Sequence, residues 1–390
     1  MDIDKSSVIS NATIMNYYPT YSLLDEITDT KIKTLNIFVD LKNCLQSTYM
    51  EHIVLSLVNN TITTGKVDSS VFLSLLSFFT FHKTYAQKRS IKINFYIFFE
   101  SGQSFYHLGI DKKYKFKRKI DNLYGLDRDK RDLFFSVLQK NYQLIENVCN
   151  HIPNIKVIRM ENFEADFIPY YLISKNLVPH DDDCCNVIYS NDHDLLQVLS
   201  LPQNSIVYQK CFKQKRLVKK NNAVFRELKI KDMKEDDINI PDEYQPLAMS
   251  VIGDSSDCID GIDKIGPKIF LNNFEDLKEL IGGSMSELYN RIIHRKFIFN
   301  SQDETGNKYI DKIIKAEIEN NRISRNLKLV SFYLISHEID NPSSTEIIKR
   351  KDHIDKILNT SKIVNCQNLT EALIKSGVYI LNDDLDMLYA

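Results

Sequence analysis

Asn186-Val187-Ile188-Tyr189-Ser190-Asn191-Asp192-His193-Asp194-Leu195-Leu196-Gln197-Val198-Leu199 is the stretch on which the reading of this chain turns. It starts as an apolar run of strand length and turns through Ser190-Asn191. From Asp194 it carries the spacing of a helix. Asp192 and Asp194 therefore stand where a strand ends and a helix begins, the edge at which open α/β sheets bind ligands. Two carboxylates so close repel each other, and a divalent cation is the ordinary way to hold them. A lone Asp at this place caps a helix just as readily, so the rest of the chain has to decide.

Outward from this stretch the same pattern repeats. Leu35-Asn36-Ile37-Phe38-Val39 reads as a buried strand with Asp40 directly behind it, and Ile93 to Phe99 as another, followed by Glu100. An amphipathic helix over about 71–86 joins them, giving a βαβ unit with a right-handed crossover. Ile155 to Met160 is a third strand, after which Glu164-Ala165-Asp166 opens a helix to about Ser174. Ser205 to Tyr208 reads as one more strand. Residues 221–245 are polar and mark a boundary, and from 247 onward the pattern is helical.

The totals bound the answer. The 390 residues are 43% hydrophobic and 26% charged, ordinary for a globular chain with room for more than one domain. Seven cysteines without a C-x-x-C pair point to a reducing compartment and away from zinc or disulfide frameworks. No stretch has the length and apolarity of a membrane span, so a cytoplasmic location is expected (host cytoplasm for a phage-encoded protein). Residues 1–34 read as an extension.

The formal net charge of -2 conceals strong local polarity. Between Asp111 and Arg131 there are nine Lys or Arg against four Asp, interleaved with Tyr114, Phe116 and Tyr124. Cations alternating with aromatics suit a surface that follows phosphates and stacks on bases. A second run, Lys210 to Lys220, has six basic residues and no acid. Further on, Asp254 and Asp257 are spaced one helical turn apart. Gly261 and Gly266 bracket a turn, with Pro267 suited to the first position of the next helix and Lys268 beside it.

Asp40, Glu100, Glu164, Asp166, Asp192, Asp194, Asp254 and Asp257 thus form a set of acids, and a parallel sheet brings the first six to one edge. Such a set needs cations to stay ionised. Carboxylate oxygens without His or Cys select Mg²⁺, with Mn²⁺ as a substitute. Two such ions about 3.5–4 Å apart can clamp the attacking and leaving oxygens of a phosphoryl displacement.

With these residues in hand, the chain resembles the 5′-nucleases of the flap endonuclease superfamily, and within it the ribonuclease H branch of T-even phages. The motifs occur in order: Ile37-Phe38-Val39-Asp40; Tyr114, Lys115 and Arg118; Glu164-Ala165-Asp166; Ser190 to Gln197; and Gly253, Asp254, Asp257 with Ile265-Gly266-Pro267-Lys268. Asn321 to Leu327 adds a C-terminal match, so the likeness spans roughly 35–335. The resemblance implies a PIN-like core (35–245) with a mostly parallel twisted sheet flanked by helices. It adds a helical arch at about 101–150 and a C-terminal helical domain (246–390) with a helix-three-turn-helix at 247–275. It implies metal-dependent cleavage at 5′ ends and flaps of DNA and RNA–DNA duplexes, as in removal of primers during lagging-strand replication and repair.

Carried over motif by motif, Asp40, Glu100, Glu164, Asp166 and Asp192 would hold one Mg²⁺. Asp194 and Asp257, with Asp254 near, would hold the other. Asp40, Lys115, Arg118 and Asp192 would be catalytic, with Lys115 and Arg118 on the scissile phosphate. Tyr114, Lys117, Gly261, Gly266 and Lys268 would meet nucleic acid, with a monovalent cation at the 261–268 turn. A single-strand-binding protein or a sliding clamp are the partners such enzymes imply. The chain departs from the family at Glu100 (usually Asp), His107 (an arch-entry Arg), Phe167 (an outer acid) and Cys258 (an Asn). Two other readings stand beside this one. One is a structure-specific DNA-binding protein descended from such a nuclease but catalytically impaired. The other is a PIN-type ribonuclease for single-stranded RNA, which would have no need of the 251–268 motif.

Overall fold

The computed structural model describes residues 24–25, 31–45, 69–115, 128–211, 214–219, 241–300, 305–359 and 366–375. Most of the 1–34 extension, and Lys117 and Arg118 of the arch motif, lie outside the described residues.

Six strands form one sheet: β1 (Thr34–Asp40), β2 (Lys92–Ser101), β3 (Ile155–Glu161), β4 (Cys184–Tyr189), β5 (Ser205–Cys211) and β6 (Gln214–Lys219). Their spatial order is β3-β2-β1-β4-β5-β6. The first five are mutually parallel and β6 turns back antiparallel along β5. This is the mostly parallel α/β architecture that the alternation of apolar runs and acids predicts. The second cationic run, read from sequence only as a charged stretch, supplies β6.

Strand residues alternate between two cores because side chains point to opposite faces with period two. Ile37, Val39, Phe95, Ile97 and Val187 enter one core with α2 (Ser69–Lys88), α4 (Arg128–Cys149) and α14 (Cys366–Lys375). Phe38, Tyr96, Phe98, Ile158 and Ile188 enter the other. That core is completed by α5 (Ile168–Ser174), α12 (Phe332–Asp340) and α13 (Thr345–Asn359). Remaining helices are α1 (Leu41–Leu45), α3 (Phe105–Ile110), α6 (Gln245–Ile252), α7 (Pro267–Asn272), α8 (Phe274–Leu280), α9 (Met285–Ile293), α10 (Lys308–Asn320) and α11 (Arg322–Val330). A third core joins α6 to α11 around Leu247, Val251, Phe270, Leu288 and Leu327. The helical segments after 246 therefore divide: α6–α11 pack on one another, whereas α12–α14 return to the two faces of the sheet.

The second face of β2, β1 and β4 is built in rows. Asn94, Asn36 and Asn186 lie side by side at the amino end, then Tyr96, Phe38 and Ile188, then Phe98 beside Asp40. The asparagines satisfy one another. Asn94 Nδ2 donates to Asn36 Oδ1 at 3.0 Å, and Asn36 Nδ2 donates to Asn186 Oδ1 at 3.0 Å and to the Pro179 carbonyl at 2.8 Å. A one-residue slip would break the whole row, so these amides fix the register.

Two local expectations are corrected. After β4 the chain enters a 3₁₀ helix (Asp194–Ser200), not an α-helix, because the short polar loop 190–193 is pinned by side-chain hydrogen bonds. Asp254 and Asp257 are not on one helix: Gly253–Asp254 (β7) pairs antiparallel with Ile259–Asp260 (β8), and the intervening turn places the two acids.

Candidate metal centre

Asp40 ends β1 and is the most ordered of the acids in its local bonds. Its Oδ1 accepts the Asn43 amide at 2.9 Å and its Oδ2 accepts the Ser190 hydroxyl at 2.7 Å. The Ser190 Oγ in turn accepts the Asp192 amide at 3.0 Å, and Asp192 Oδ1 accepts the Asp194 amide at 3.0 Å. Asn43 Oδ1 takes the Asn191 amide at 3.0 Å. This chain of short bonds sets three aspartates at the carboxyl edge of β1 and β4. The capping alternative is thus met in part, since Asp192 does bond the first amide of the 3₁₀ turn.

The charges interact. Burial pushes Asp40 up to about 7, opposed by its two hydrogen bonds and reinforced by Glu100 and Asp192. Asp166 is held well above the carboxylate range by burial and then by Glu100, Asp192, Asp40 and Glu164. Asp194 is raised by burial and then by Asp192, Asp257 and Asp254. Asp40, Glu100, Asp166 and Asp192 therefore form one electrostatic group, and Asp194, Asp254 and Asp257 a second, with Asp192 felt by both. Burial alone would neutralise several of these groups, and only added positive charge keeps them ionised.

Two lysines supply part of it. Lys115 Nζ lies 2.7 Å from Glu164 Oε2 and 3.6 Å from Asp257 Oδ2, and its amide donates to the Asp257 carbonyl at 2.9 Å. Burial would raise Glu164, but the Lys115 ammonium, with Lys42 behind it, overrules it and holds it below its ordinary value. Lys42, from the first turn of α1, forms a hydrogen-bonded ion pair with Glu100. Both glutamates expected as metal ligands are thus engaged by lysines.

The closest trio of ligand atoms among the described residues lies elsewhere. Asp181, Asp183 and Cys184 come within 4.8 Å of one another at the amino end of β4, on the opposite edge of the sheet. Asp183 there pairs with Lys33 at 3.4 Å, and Asp181 is exposed. The eight predicted acids are spread more widely, as unneutralised like charges require. Their all-oxygen chemistry nonetheless fits a hard divalent cation, and the upward-shifted aspartates are the groups such a cation would stabilise.

The fold has solved counterparts. A flap endonuclease of bacteriophage T5, in a pseudo-enzyme–product complex with DNA and metal ions, matches with a TM-score of 0.54 and 16% identity over 84% of this chain and 100% of that one. The T5 5′-exonuclease with bound zinc matches at 0.52 and 17%, over 83% and 100%. This chain has the fold of a 5′-nuclease. No protein-family profile matches it.

In this 5′-nuclease fold several sequence expectations change. Tyr114, expected on nucleic acid, is 7% exposed, stacks on His107 at 4.6 Å and donates to Asp257 Oδ2 at 3.1 Å. It buttresses the centre from inside. His107, which stands in place of the family's arch-entry Arg, is neutral. Its Nε2 donates to the Leu329 carbonyl at 3.2 Å, so its Nδ1 accepts the Ser104 hydroxyl at 2.7 Å. Burial pushes its pKa down to about 4. Phe167, in place of an outer acid, is buried edge-on against Phe163.

The glycine expectation is divided. At Gly266 φ is -95° and a Cβ would meet nothing within 4 Å, so this position makes no demand for glycine. The demand falls on Gly253, with φ +87°, and on Gly261, where a Cβ would stand 2.0 Å from the Ile252 carbonyl oxygen. Pro267 does open α7, and Lys268 is exposed beside it. The reason for the tight approach is the β7–β8 bridge, which Asn326 fastens by donating to the Ser250 and Asp260 carbonyls at 2.9 Å. A cleft of about 840 Å³ runs from Lys112 and Lys113 to Gly253, Asp260 and Gly261.

Lys42, Asn43 and Asn326 are the site residues that the sequence did not single out. Asn326 lay inside a matched segment. Lys42 carried no signal beyond standing two residues after Asp40.

Proposed function

We propose that this protein is a metal-dependent 5′-nuclease that hydrolyses phosphodiester bonds at 5′ ends and flaps of DNA and RNA–DNA duplexes. The observation that carries the reading is the convergence of Asp40, Asp166, Asp192, Asp194, Asp254 and Asp257 into two linked acid groups, in a fold shared with a nuclease crystallised with DNA and metal ions. The likeness to the T-even ribonuclease H branch extends the proposal to removal of RNA primers and flaps in phage lagging-strand replication and repair.

Asp40, Asp166 and Asp192 would hold one Mg²⁺ or Mn²⁺ and Asp194, Asp254 and Asp257 the other, with Asp192 between them. When bound, the ions neutralise charge on the phosphoryl oxygens and lower the pKa of water at the centre. The chain's own part is positioning. Ser190 and Asn43 hold the Asp40 carboxylate in one orientation, so no rotamer search precedes reaction. Lys115 stands between Glu164 and Asp257 with its side chain 18% exposed, where its remaining donors can serve a phosphate oxygen. Its positive φ of 52° keeps it there through the backbone bond to Asp257.

Lys112 and Lys113, the cleft beneath them and Lys268 on the following turn would take the duplex backbone, where each neutralised phosphate adds to the salt dependence. A monovalent cation at the 261–268 turn belongs to the same proposal. The division into a 35–245 core and a following helical region is proposed with α12–α14 serving the core.

The engagement of Glu100 and Glu164 by lysines favours one second reading, a duplex-binding protein with impaired chemistry. Purified protein with Mg²⁺ or Mn²⁺ and end-labelled flap and RNA–DNA substrates separates the two. Short labelled 5′ products support the nuclease. Tight duplex binding without any product moves the impaired reading ahead.

A further inference from the structure

Lys42 sits where sequence reasoning placed only acids. β1 delivers Asp40 and α1 begins at once, burying Leu41 completely in the first core. Asn43 is committed to the 190s loop through its bonds with Asp40 and Asn191. Lys42, between them, is thereby aimed across the carboxyl edge toward β2, where its ammonium meets Glu100.

The strand register explains why Glu100 is the acid it meets. Asp40 pairs with Phe98, so Glu100 lies on the same face but two residues further along β2. Two residues of strand are about 6–7 Å. The longer side chain of Glu carries its carboxylate one methylene beyond an Asp. β2 runs on to Ser101, so Glu100 is held in extended strand geometry. The Glu100 side chain is 13% exposed and that of Lys42 is 37% exposed. Glu100 is the more covered side chain of the pair, and its carboxylate is already occupied by the Lys42 ammonium, the reverse of what a ligand awaiting an ion from solution requires.

A second glutamate is paired in a related way at Lys115, which meets Glu164 at 2.7 Å and lies 3.6 Å from Asp257, with both members of the pair covered. At both places the shorter lysine contact goes to a glutamate, and Asp40, Asp166 and Asp192 have no lysine within ion-pair distance among the described pairs.

We propose that Lys42 is a resident cation of the first acid group, held by Glu100 as its positioning residue and directed at a substrate phosphate, and that Glu100 is not a metal ligand. This rests on the nuclease reading for the phosphate. A lysine is well suited to that role: it is a compact point charge with three donors, one of which Glu100 can hold while others remain. Its charge also reduces the number of divalent ions the group needs.

The test measures metal binding without nucleic acid, by calorimetric titration of the full chain with Mn²⁺, and cleavage separately under single-turnover conditions. Glu100→Gln, which keeps shape and a hydrogen bond, should leave Mn²⁺ stoichiometry intact and affinity within about threefold. Asp166→Asn in the same assay should lose a site or lower affinity by about 10- to 100-fold, as even groups supporting a metal ligand do. Lys42→Met should tighten Mn²⁺ binding by about tenfold through loss of a competing cation, and should slow cleavage by about tenfold. Lys42→Arg should restore most of that rate, which a merely structural lysine would not explain.

Loss of a Mn²⁺ site in Glu100→Gln overturns the proposal, as does an unchanged Mn²⁺ affinity with unchanged rate in Lys42→Met. If Asp166→Asn binds Mn²⁺ normally, or the wild type binds none, the nuclease reading fails and takes this one with it. Normal wild-type metal binding with loss of a site in Glu100→Gln defeats only the proposal for Lys42 and Glu100.

Discussion

The two ends of the same three strands carry opposite solutions to burying polar groups. At the amino end of β2, β1 and β4, Asn94, Asn36 and Asn186 are neutral and satisfy each other and the Pro179 carbonyl. At the carboxyl end of the same face, Asp40 meets Ser190, but the charge around it also comes from Glu100 and Asp192. Between them Phe38 stacks on Tyr96 with ring centres 5.0 Å apart. Amides close on themselves and add to stability. Like-charged carboxylates cannot, so their burial makes sense only for what they bind. One end of the sheet is built to hold the fold and the other to use it.

The largest effects should come from crossing that division. Asp192→Asn removes the charge shared by both acid groups, so cleavage should fall on the order of a thousandfold, about 4 kcal/mol of barrier. Duplex affinity should hold, since it is carried by cations. Single-turnover rates and anisotropy titrations measure the two. Asn36→Leu should do the reverse. It strands the Pro179 carbonyl, Asn186 and Asn94 and should cost about 3 kcal/mol of stability by denaturant unfolding. The rate of the fraction that remains folded should be unchanged.

His82, on the other face, sharpens the comparison because it is buried and titratable yet fully paired. Nδ1 donates to the Phe78 carbonyl at 2.8 Å, so Nε2 accepts the Tyr189 hydroxyl at 2.7 Å. That is the neutral ring, and burial pushes its pKa down to about 4. The unfolded chain, titrating near 6.5, then binds the extra proton first. Stability due to His82 is present above about 6.5 and is lost as pH falls toward 4, by about 2–3 kcal/mol. His82→Leu should flatten that part of the curve of unfolding free energy against pH. A slope that survives the substitution assigns it to another group.

The glycine turn gives the smallest contrast. Gly261→Ala should cost about 1–3 kcal/mol, since the added Cβ meets the Ile252 carbonyl, and should weaken duplex binding with it. Gly266→Ala should change stability by no more than about 0.5 kcal/mol. Thermal melts of the two variants, side by side, check both.

What could be read in advance was whatever depends on neighbours in sequence. Leu35 to Val39 and Ile93 to Phe99 declared themselves as strands by composition, and each acid declared its place by following one. The 5′-nuclease fold is legible from that ordering. What could not be read depends on which side chains meet. Nothing near Lys42 foretells Glu100, 58 residues away in the chain. Tyr114 looked like a base-stacking residue because Lys115 and Lys113 flank it, but its ring turns inward to His107 and Asp257. Gly261 and Gly266 are indistinguishable by type, and only the β7–β8 bridge makes one of them indispensable.

β6 has a consequence outside catalysis. A parallel sheet that ended at β5 would offer its last row of amides and carbonyls to any other extended chain. β6 covers that row and becomes the rim itself, with Lys215, Arg216 and Lys219 in its sequence. Lys and Arg in an edge strand are among the ways natural sheets discourage edge-to-edge pairing.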